Sequence, residues 1–428
     1  MRGIPAFLAL LAGGVLVATA GRGRAASAPL DERVVRKRDI VFYAARAARD
    51  PQGAADLAQL AGLLLQRGRE TGDPRDFRLA EATARRSLAR RAGRNGKAYL
   101  TLASSLLAQH RFVEARAVAE TLVARWPEPE GYRALLGEIQ LELGDYDGAG
   151  RTFAGLAGAR RHLAVAPRLA RWAELHGRVE EARRLLEDAR AEAFRRRDLP
   201  REQVAWFQLR VGDLELRHGR LADAERALRD GLAVVPDDPR LLAALARVAA
   251  ARGRWREVVT YGERAGSGAD IATLALVGDA YAELVDTVRA ALWYARAERL
   301  AAERPEPFNR QWTQFRLDHR RAVSQTRALL EQEVRIRPDV YGWDLVGWAR
   351  YLDGDVAGAS DAIGRALRVG TRDAALFRHA AVIARAEAGS GSAALLPCDA
   401  RDESPLPLDT PPDRSLRARR RLPSQRDP

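Results

Sequence analysis

The stretch Leu274–Tyr294, LALVGDAYAELVDTVRAALWY, can be laid over Trp343–Ile363, WDLVGWARYLDGDVAGASDAI, without a gap. Each opens on a large apolar residue and then carries an apolar-glycine pair, Val277-Gly278 and Val346-Gly347. Alanine follows the glycine after twelve positions, as Ala290 and Ala359, and a larger apolar residue follows four positions later, as Tyr294 and Ile363. Spacings of three and four put such residues on one face of a helix. Two small residues twelve apart, with a turn between them, let two antiparallel helices approach closely. The unit is therefore a helix hairpin.

Outward from these two copies the same marks recur at a steady interval. Leu136-Gly137 pairs with Ala149, and Val211-Gly212 pairs with Ala224. Leu102-Ala103 with Ala115 and Leu169-Ala170 with Ala182 show alanine in place of glycine. The first mark moves from Ala103 through Gly137, Ala170, Gly212, Ala246 and Gly278 to Gly347, by 34, 33, 42, 34, 32 and 69 residues. The second mark, from Ala115 through Val258 to Ala359, moves by the same steps. Two markers that drift together belong to one repeated unit. The step of 42 implies eight inserted residues around Arg197–Val204, and the step of 69 leaves room for a degenerate copy between Pro305 and Pro338. The turns are glycine-centred, as in Leu143-Gly144-Asp145-Tyr146, His176-Gly177-Arg178, His218-Gly219-Arg220 and Asp353-Gly354-Asp355. In the first copy the spacing from Gly62 to Ala80 is eighteen, which predicts a longer turn around Thr71–Arg75.

The pattern resembles the tetratricopeptide repeat, W-x2-L-G-x2-Y, then A-x3-F, then P. Leu274-x2-Val277-Gly278-x2-Tyr281 with Ala290-x3-Tyr294 fits it, and Pro127 and Pro236 close their copies where the family places proline. Arg350 stands where the family's tyrosine would be. The resemblance implies an all-α fold, an α-solenoid wound as a right-handed superhelix of about nine hairpins over residues 57–388. An amphipathic helix within 29–56 is expected to cap its first end. It also implies a scaffold that binds a protein or peptide in its concave groove, lined by the first helix of each hairpin. Carried over residue by residue, that face comprises Trp206, Leu209 and Asp213 in one copy and Tyr341, Asp344, Trp348 and Tyr351 in another. The last four recur at spacings of three and four, so this stripe is expected to point away from the packing face that holds Trp343, Val346 and Gly347. Leu100 and Ser104 replace the lysine and asparagine with which some members grip a C-terminal carboxylate, so a clamp of that kind is not expected.

Composition agrees with an all-α chain. Hydrophobic residues make up 47% of the 428 and aromatics 6%, and no run alternates like a strand. The net charge is +14, yet the arginines are spread over every helix among acidic residues, and Lys37 and Lys97 are the only lysines. Dispersed charge of this kind marks a solvated surface, so no nucleic-acid partner is expected. The first 28 residues read as a signal peptide, with Arg2, the apolar run Ile4–Ala20 and small residues at Ala18-Thr19-Ala20 and Ala26-Ser27-Ala28. Export to a periplasmic or extracellular space follows as an expectation. An uncleaved segment would instead make a membrane-tethered assembly factor. Residues 389–428 are rich in glycine, serine and proline and end in the arginine run Arg419-Arg420-Arg421, the composition of a disordered tail.

The sequence offers no catalytic constellation. Cys398 is the only cysteine, so neither an internal disulfide nor a thiolate metal site is available. The six histidines lack HExxH spacing, and no phosphate-cradling glycine loop is present. His176 and His218 each precede a turn glycine, where a helix C-terminus attracts them. Asp318-His319 in the degenerate copy 305–338 is the one pair that could serve an enzyme, and no nucleophile stands beside it in sequence. A non-enzymatic chain without cofactor or metal is expected.

Overall fold

The computed structural model describes residues 31–50, 52–303 and 308–389. The expected signal peptide, residues 1–28, and the tail expected beyond Gly389 lie outside them. The described chain forms twenty α-helices with two single 3-10 turns and no strand. Helix α1, Glu32–Arg49, comes first. Nine hairpins follow: α2 (Ala54–Thr71) with α3 (Pro74–Arg90), α4 (Gly96–Ala108) with α5 (Phe112–Arg125), and α6 (Glu130–Glu142) with α7 (Tyr146–Ala154). Next come α8 (Ala166–Leu175) with α9 (Val179–Arg195), α10 (Arg201–Arg217) with α11 (Leu221–Val234), and α12 (Pro239–Ala251) with α13 (Trp255–Ala265). The last three are α14 (Ile271–Glu283) with α15 (Thr287–Glu303), α16 (Arg310–Asp318) with α17 (Val323–Ile336), and α18 (Val340–Leu352) with α19 (Val356–Leu367). A single helix, α20 (Ala374–Gly389), ends the described chain. This is an all-α solenoid.

The small residues do what their spacing predicts. A Cβ added at Gly137 would lie 2.5 Å from the Phe153 ring, one at Gly212 2.6 Å from Leu228, and one at Gly278 2.5 Å from Tyr294. In each case the clash is with the residue sixteen positions on, across the hairpin. Ala115, Ala149, Ala182, Ala224 and Ala359 are fully buried on the facing helix. Aspartate caps support the helix starts: Asp145, Asp238, Asp270, Asp339 and Asp355 all accept from backbone N–H groups of the first turn.

One expectation about length takes its form here and another is corrected. The eight residues inserted near Arg197–Val204 lengthen helices, extending α9 and α10 to 17 residues each, against 13 and 14 for α4 and α5. In the first hairpin the turn is only Gly72-Asp73, and α2 runs for 18 residues. The residue twelve before Ala80 is Gly68, not Gly62, and it is Gly68 that the opposing helix crowds, with Phe77 2.8 Å from its would-be Cβ. Arg67 stands where other copies carry an apolar residue before the small one, which hid the register.

The solenoid also rests on itself. Gln66 Nε2 on α2 donates to Glu202 Oε2 on α10 at 3.0 Å, and the Arg201 N–H donates to Glu32 Oε2 at 3.0 Å. Further along, Arg337 Nε donates to the Glu142 carbonyl at 2.6 Å, Val340 N–H to Tyr146 Oη at 2.9 Å, and Thr371 Oγ1 to the Leu175 carbonyl at 2.7 Å. These partners are 136 to 196 residues apart in sequence. Two turn glycines make the approach possible. Gly144 (φ +74°) and Gly177 (φ +71°) adopt the left-handed conformation that closes a helix. A Cβ on Gly144 would also sit 2.7 Å from the Pro338 carbonyl carbon, and one on Gly177 2.5 Å from the Gly370 oxygen. The largest apolar cluster joins the same levels, with Leu141, Phe153, Leu175 and Leu214 together with Val340, Ile363, Leu376 and Ile383.

Candidate binding surface

First helices pack on the next first helix along most of the chain, from α2 on α4 to α18 on α20, and so form the inner wall. Between α8 and α10, which both contribute to the largest apolar cluster, charges are buried as well. Glu174, buried near the end of α8, accepts from Arg217 Nε on α10 at 2.5 Å and pairs with Arg171 at 2.9 Å. Burial would raise its pKa, but the Arg217 and Arg171 guanidinium groups outweigh this and hold the carboxyl well below the usual carboxylate range. Nearby, Arg168 binds Glu138 at 2.7 Å, Arg240 binds Glu202 at 2.7 Å and Arg247 binds Asp213 at 2.9 Å. Every one of these carboxylates is neutralised.

Other arginines on first helices are not so engaged: Arg69, on the last turn of α2, Arg133 on α6 and Arg210, midway along α10, show neither an ion pair nor a hydrogen bond among the described residues. Arg210 lies over the Trp206 ring with 5.9 Å to its centroid. Arg69 is exposed and Arg210 half-buried, so both still reach water. Surrounding protein nonetheless pulls both pKa values below the ordinary arginine value, chiefly by desolvation, with Arg168 and Arg240 adding to the effect at Arg69 and Arg217 and Arg171 at Arg210.

The sequence-derived candidates separate into two groups. Trp206 and Asp213 stand on this wall, half-buried, whereas Leu209 is buried in the hairpin core with Ala205, Leu228 and Leu241. The stripe on α18 does not point freely to solvent, because α20 and α8 pack over it. Asp344 is buried, 2.9 Å from His379 Nδ1 of α20. Trp348 stacks on the His379 ring at 4.4 Å and on Tyr351 at 5.2 Å. Tyr341 is half-buried, with the Arg171 guanidinium of α8 5.2 Å from its ring centroid, and burial raises its phenol pKa. Sequence reasoning missed Arg171, Arg210 and Arg217. Their spacing carries no signal amid so many arginines, and only the winding of the coil brings them together.

The Asp318-His319 pair is not joined. Asp318 accepts from Gln314 at 2.6 Å, while His319 places Nε2 3.0 Å from Asp279 and Nδ1 2.8 Å from the Phe315 carbonyl. Both ring nitrogens therefore face acceptors, and although burial opposes the charged form, the Asp279 contact raises the histidine pKa. His176 Nδ1 meets the Trp172 carbonyl at 2.8 Å, the helix-end contact its position predicts. Among the described residues no group of three His, Cys, Asp or Glu could hold a metal ion, and no helix is long and apolar enough to cross a membrane.

Fold and wall together define an all-α helical-repeat solenoid. Residues 100–164 and residues 204–248 each match a family model of the tetratricopeptide repeat. No curated protein matches the chain. Among solved structures it is similar to a tetratricopeptide repeat protein from Parabacteroides merdae, at 14% identity, 68% of this chain, 99% of that one and a TM-score of 0.35. It is similar to the human IFIT1 dimer with PPP-AAAA at 15% identity, covering 74% of this chain and 73% of that one with a TM-score of 0.47. The APC/C hetero-tetramer Cut9-Hcn1 matches at 11% identity, over 84% of this chain and 88% of that one, with a TM-score of 0.32. At these identities the likeness concerns the fold alone.

Proposed function

We propose that the chain is a non-catalytic, exported scaffold that binds a protein or peptide on the inner wall of its coil, with the α10 face as the central contact. The observation that carries this reading is the half-buried set Trp206, Arg210 and Asp213 on one face of α10, where the Arg210 guanidinium lies over the Trp206 ring. An aromatic ring beside charged groups in a partly desolvated site is the chemistry of interface anchors. Tetratricopeptide repeats support a scaffold rather than an enzyme, and His319, spent on Asp279 and a backbone carbonyl, has a structural place. Export rests on the first 28 residues, and N-terminal sequencing of the mature protein tests it.

The binding reading is tested in cells with a photoreactive residue in place of Asp213, on the inner wall, or of Arg226, on the exposed side of α11. Position 213 should crosslink to a discrete polypeptide and position 226 should not. Crosslinks from 226 alone, or from neither, would overturn the assignment. A parallel pair separates binding from folding: Trp348→Ala should lower the melting temperature, because that ring is packed on His379 and Tyr351. Should Trp348→Ala abolish the crosslink from position 213 at unchanged melting temperature, the contact would belong to α18 instead.

A further inference from the structure

Helix α1 packs on α2 through one face and leaves the other bare. Ile40, Tyr43 and the buried Ala47 turn inward, and Ile40 and Tyr43 pack with Leu60, Leu64 and Leu65. Two of its cations are held by α2, Arg36 by Glu70 and Arg46 by Asp56. On the other side Val34, Val41 and Phe42 lie open to solvent, Val41 at 63% and Phe42 at 53% exposure. Arg33, Lys37, Arg38 and Arg49 stand among them, exposed and with no side-chain partner among the described residues. No exposed carboxylate lies between the ends of the helix. Asp39 is half-buried, and Glu32 accepts from the Arg201 N–H. Asp31 and Asp50, at the two ends, accept from backbone N–H groups.

Val34, Lys37, Arg38, Val41 and Ala45 follow one another at steps of three and four, so apolar groups and cations share a single face. Val34 and Val41 are seven residues apart, about 10 Å along the axis, and touch the same plane when the helix lies flat. Apolar side chains can then enter beneath lipid headgroups, while the long basic side chains beside them reach out to the phosphates. We propose that the exposed face of α1 lies on a bilayer bearing anionic phospholipid headgroups and orients the solenoid from its first end. Its place in the chain fits that surface. The apolar run Ile4–Ala20 ends twelve residues before Glu32, so a run held in a bilayer keeps α1 within roughly 40 Å of it. A nucleic acid suits this face less well, because the two valines and the Phe42 ring would be left against phosphate.

Co-sedimentation of the full chain with vesicles tests this, comparing phosphatidylcholine alone with phosphatidylcholine containing phosphatidylglycerol. The chain should bind the anionic vesicles about tenfold or more tighter, and high salt should remove the difference. An apolar N-terminal anchor enters both kinds of vesicle alike, so it cannot imitate this preference. Arg33→Gln, Lys37→Gln, Arg38→Gln and Arg49→Gln together should abolish the preference with the melting temperature nearly unchanged. Arg184→Gln, Arg256→Gln, Arg299→Gln and Arg335→Gln remove as much charge from exposed positions on α9, α13, α15 and α17, and should leave the preference in place. Contact is read with a polarity-sensitive dye on Val41→Cys in a Cys398→Ser background. Its emission should shift to the blue on anionic vesicles, and the same dye on Asp361→Cys of α19 should not shift. Equal binding to the two kinds of vesicle, equal losses from the two quadruple variants, or a shift at 361 instead of 41 would overturn the inference. So would a single-stranded oligonucleotide that displaces the full chain from vesicles and that the α1 variant no longer binds.

Discussion

Helices α10 and α18 hold the same place in their hairpins, with Gly212 and Gly347 at the crossing with the second helix. In that register Trp206 corresponds to Tyr341 and Asp213 to Trp348. On α10 Trp206 lies under the Arg210 guanidinium of its own helix, and Asp213 pairs with Arg247 of the next first helix. On α18 the Tyr341 ring is covered by Arg171 from α8, and Trp348 is stacked on His379 from α20. The repeat fixes which way a side chain points from its helix. The winding of the whole coil decides what it then meets. Equivalent repeat positions are therefore not equivalent sites.

The sharpest way to break this comparison is to show that the two hairpins differ in their packing too. Ala224→Arg and Ala359→Arg each force a charge into a fully buried helix crossing. Each should destabilise the fold by about 3 kcal/mol or more through overpacking and desolvation. Calorimetric melting of the two variants should give closely similar losses. A tolerated arginine at either site would mean that the shared register is wrong.

Charge distinguishes the two regions next. Glu174→Ala leaves Arg171 and Arg217 facing each other without their carboxylate, a loss of about 3 kcal/mol measurable by denaturant unfolding. The same group predicts an acid limb. Its folded pKa is depressed, so its stabilisation is in place above the ordinary glutamate value near 4.5 and is lost as pH falls through the depressed value. His319, in the C-terminal region, has the opposite sign. Its folded pKa is raised above 6.5, so the stabilisation from its Asp279 contact is present at lower pH and is lost as pH rises through the raised value. In Glu174→Ala the acid limb of the stability profile should flatten, and in His319→Asn the limb that falls as pH rises beyond 6.5 should flatten. An unchanged profile in both would erase the electrostatic half of the comparison.

A smaller effect tests what closes α18. Gly144 and Gly354 are both left-handed, with φ +74° and +88°, but only Gly144 has the Pro338 backbone against it. Gly354→Ala should cost about 1 kcal/mol for its dihedral alone. Gly144→Ala should cost about 2 kcal/mol or more, because a backbone cannot yield as a side-chain end can. Smallest of all is Asp213→Asn, which removes a partly exposed pair with Arg247 and should change stability by less than about 1 kcal/mol.

The hairpins were legible in the sequence because their marks are local. Gly137 and Phe153, or Gly278 and Tyr294, sit sixteen residues apart and meet through one turn. Where a mark was disturbed the reading slipped, as at Gly68, whose preceding Arg67 breaks the apolar-small pair. Turn chemistry was equally readable at Gly144 and Gly177, but Val285 (φ +64°) occupies the same left-handed place in α14–α15 without any glycine to announce it. The candidate site was legible only as a stripe. Whether Leu209, Asp344 or Arg69 meets core, a neighbouring helix or water depends on contacts across the coil. Neither a period of 34 residues nor the composition encodes which repeats those will be.

Those contacts across the coil change how the molecule would respond to a pull on its ends. A solenoid in which each hairpin touches only its neighbours stretches like an open spring and loses structure from its ends, one unit after another. Here Glu142 is tied to Arg337, Tyr146 to Val340 and Leu175 to Thr371, so adjacent levels are latched. The coil should resist extension stiffly until the latches give, then lengthen in one large step.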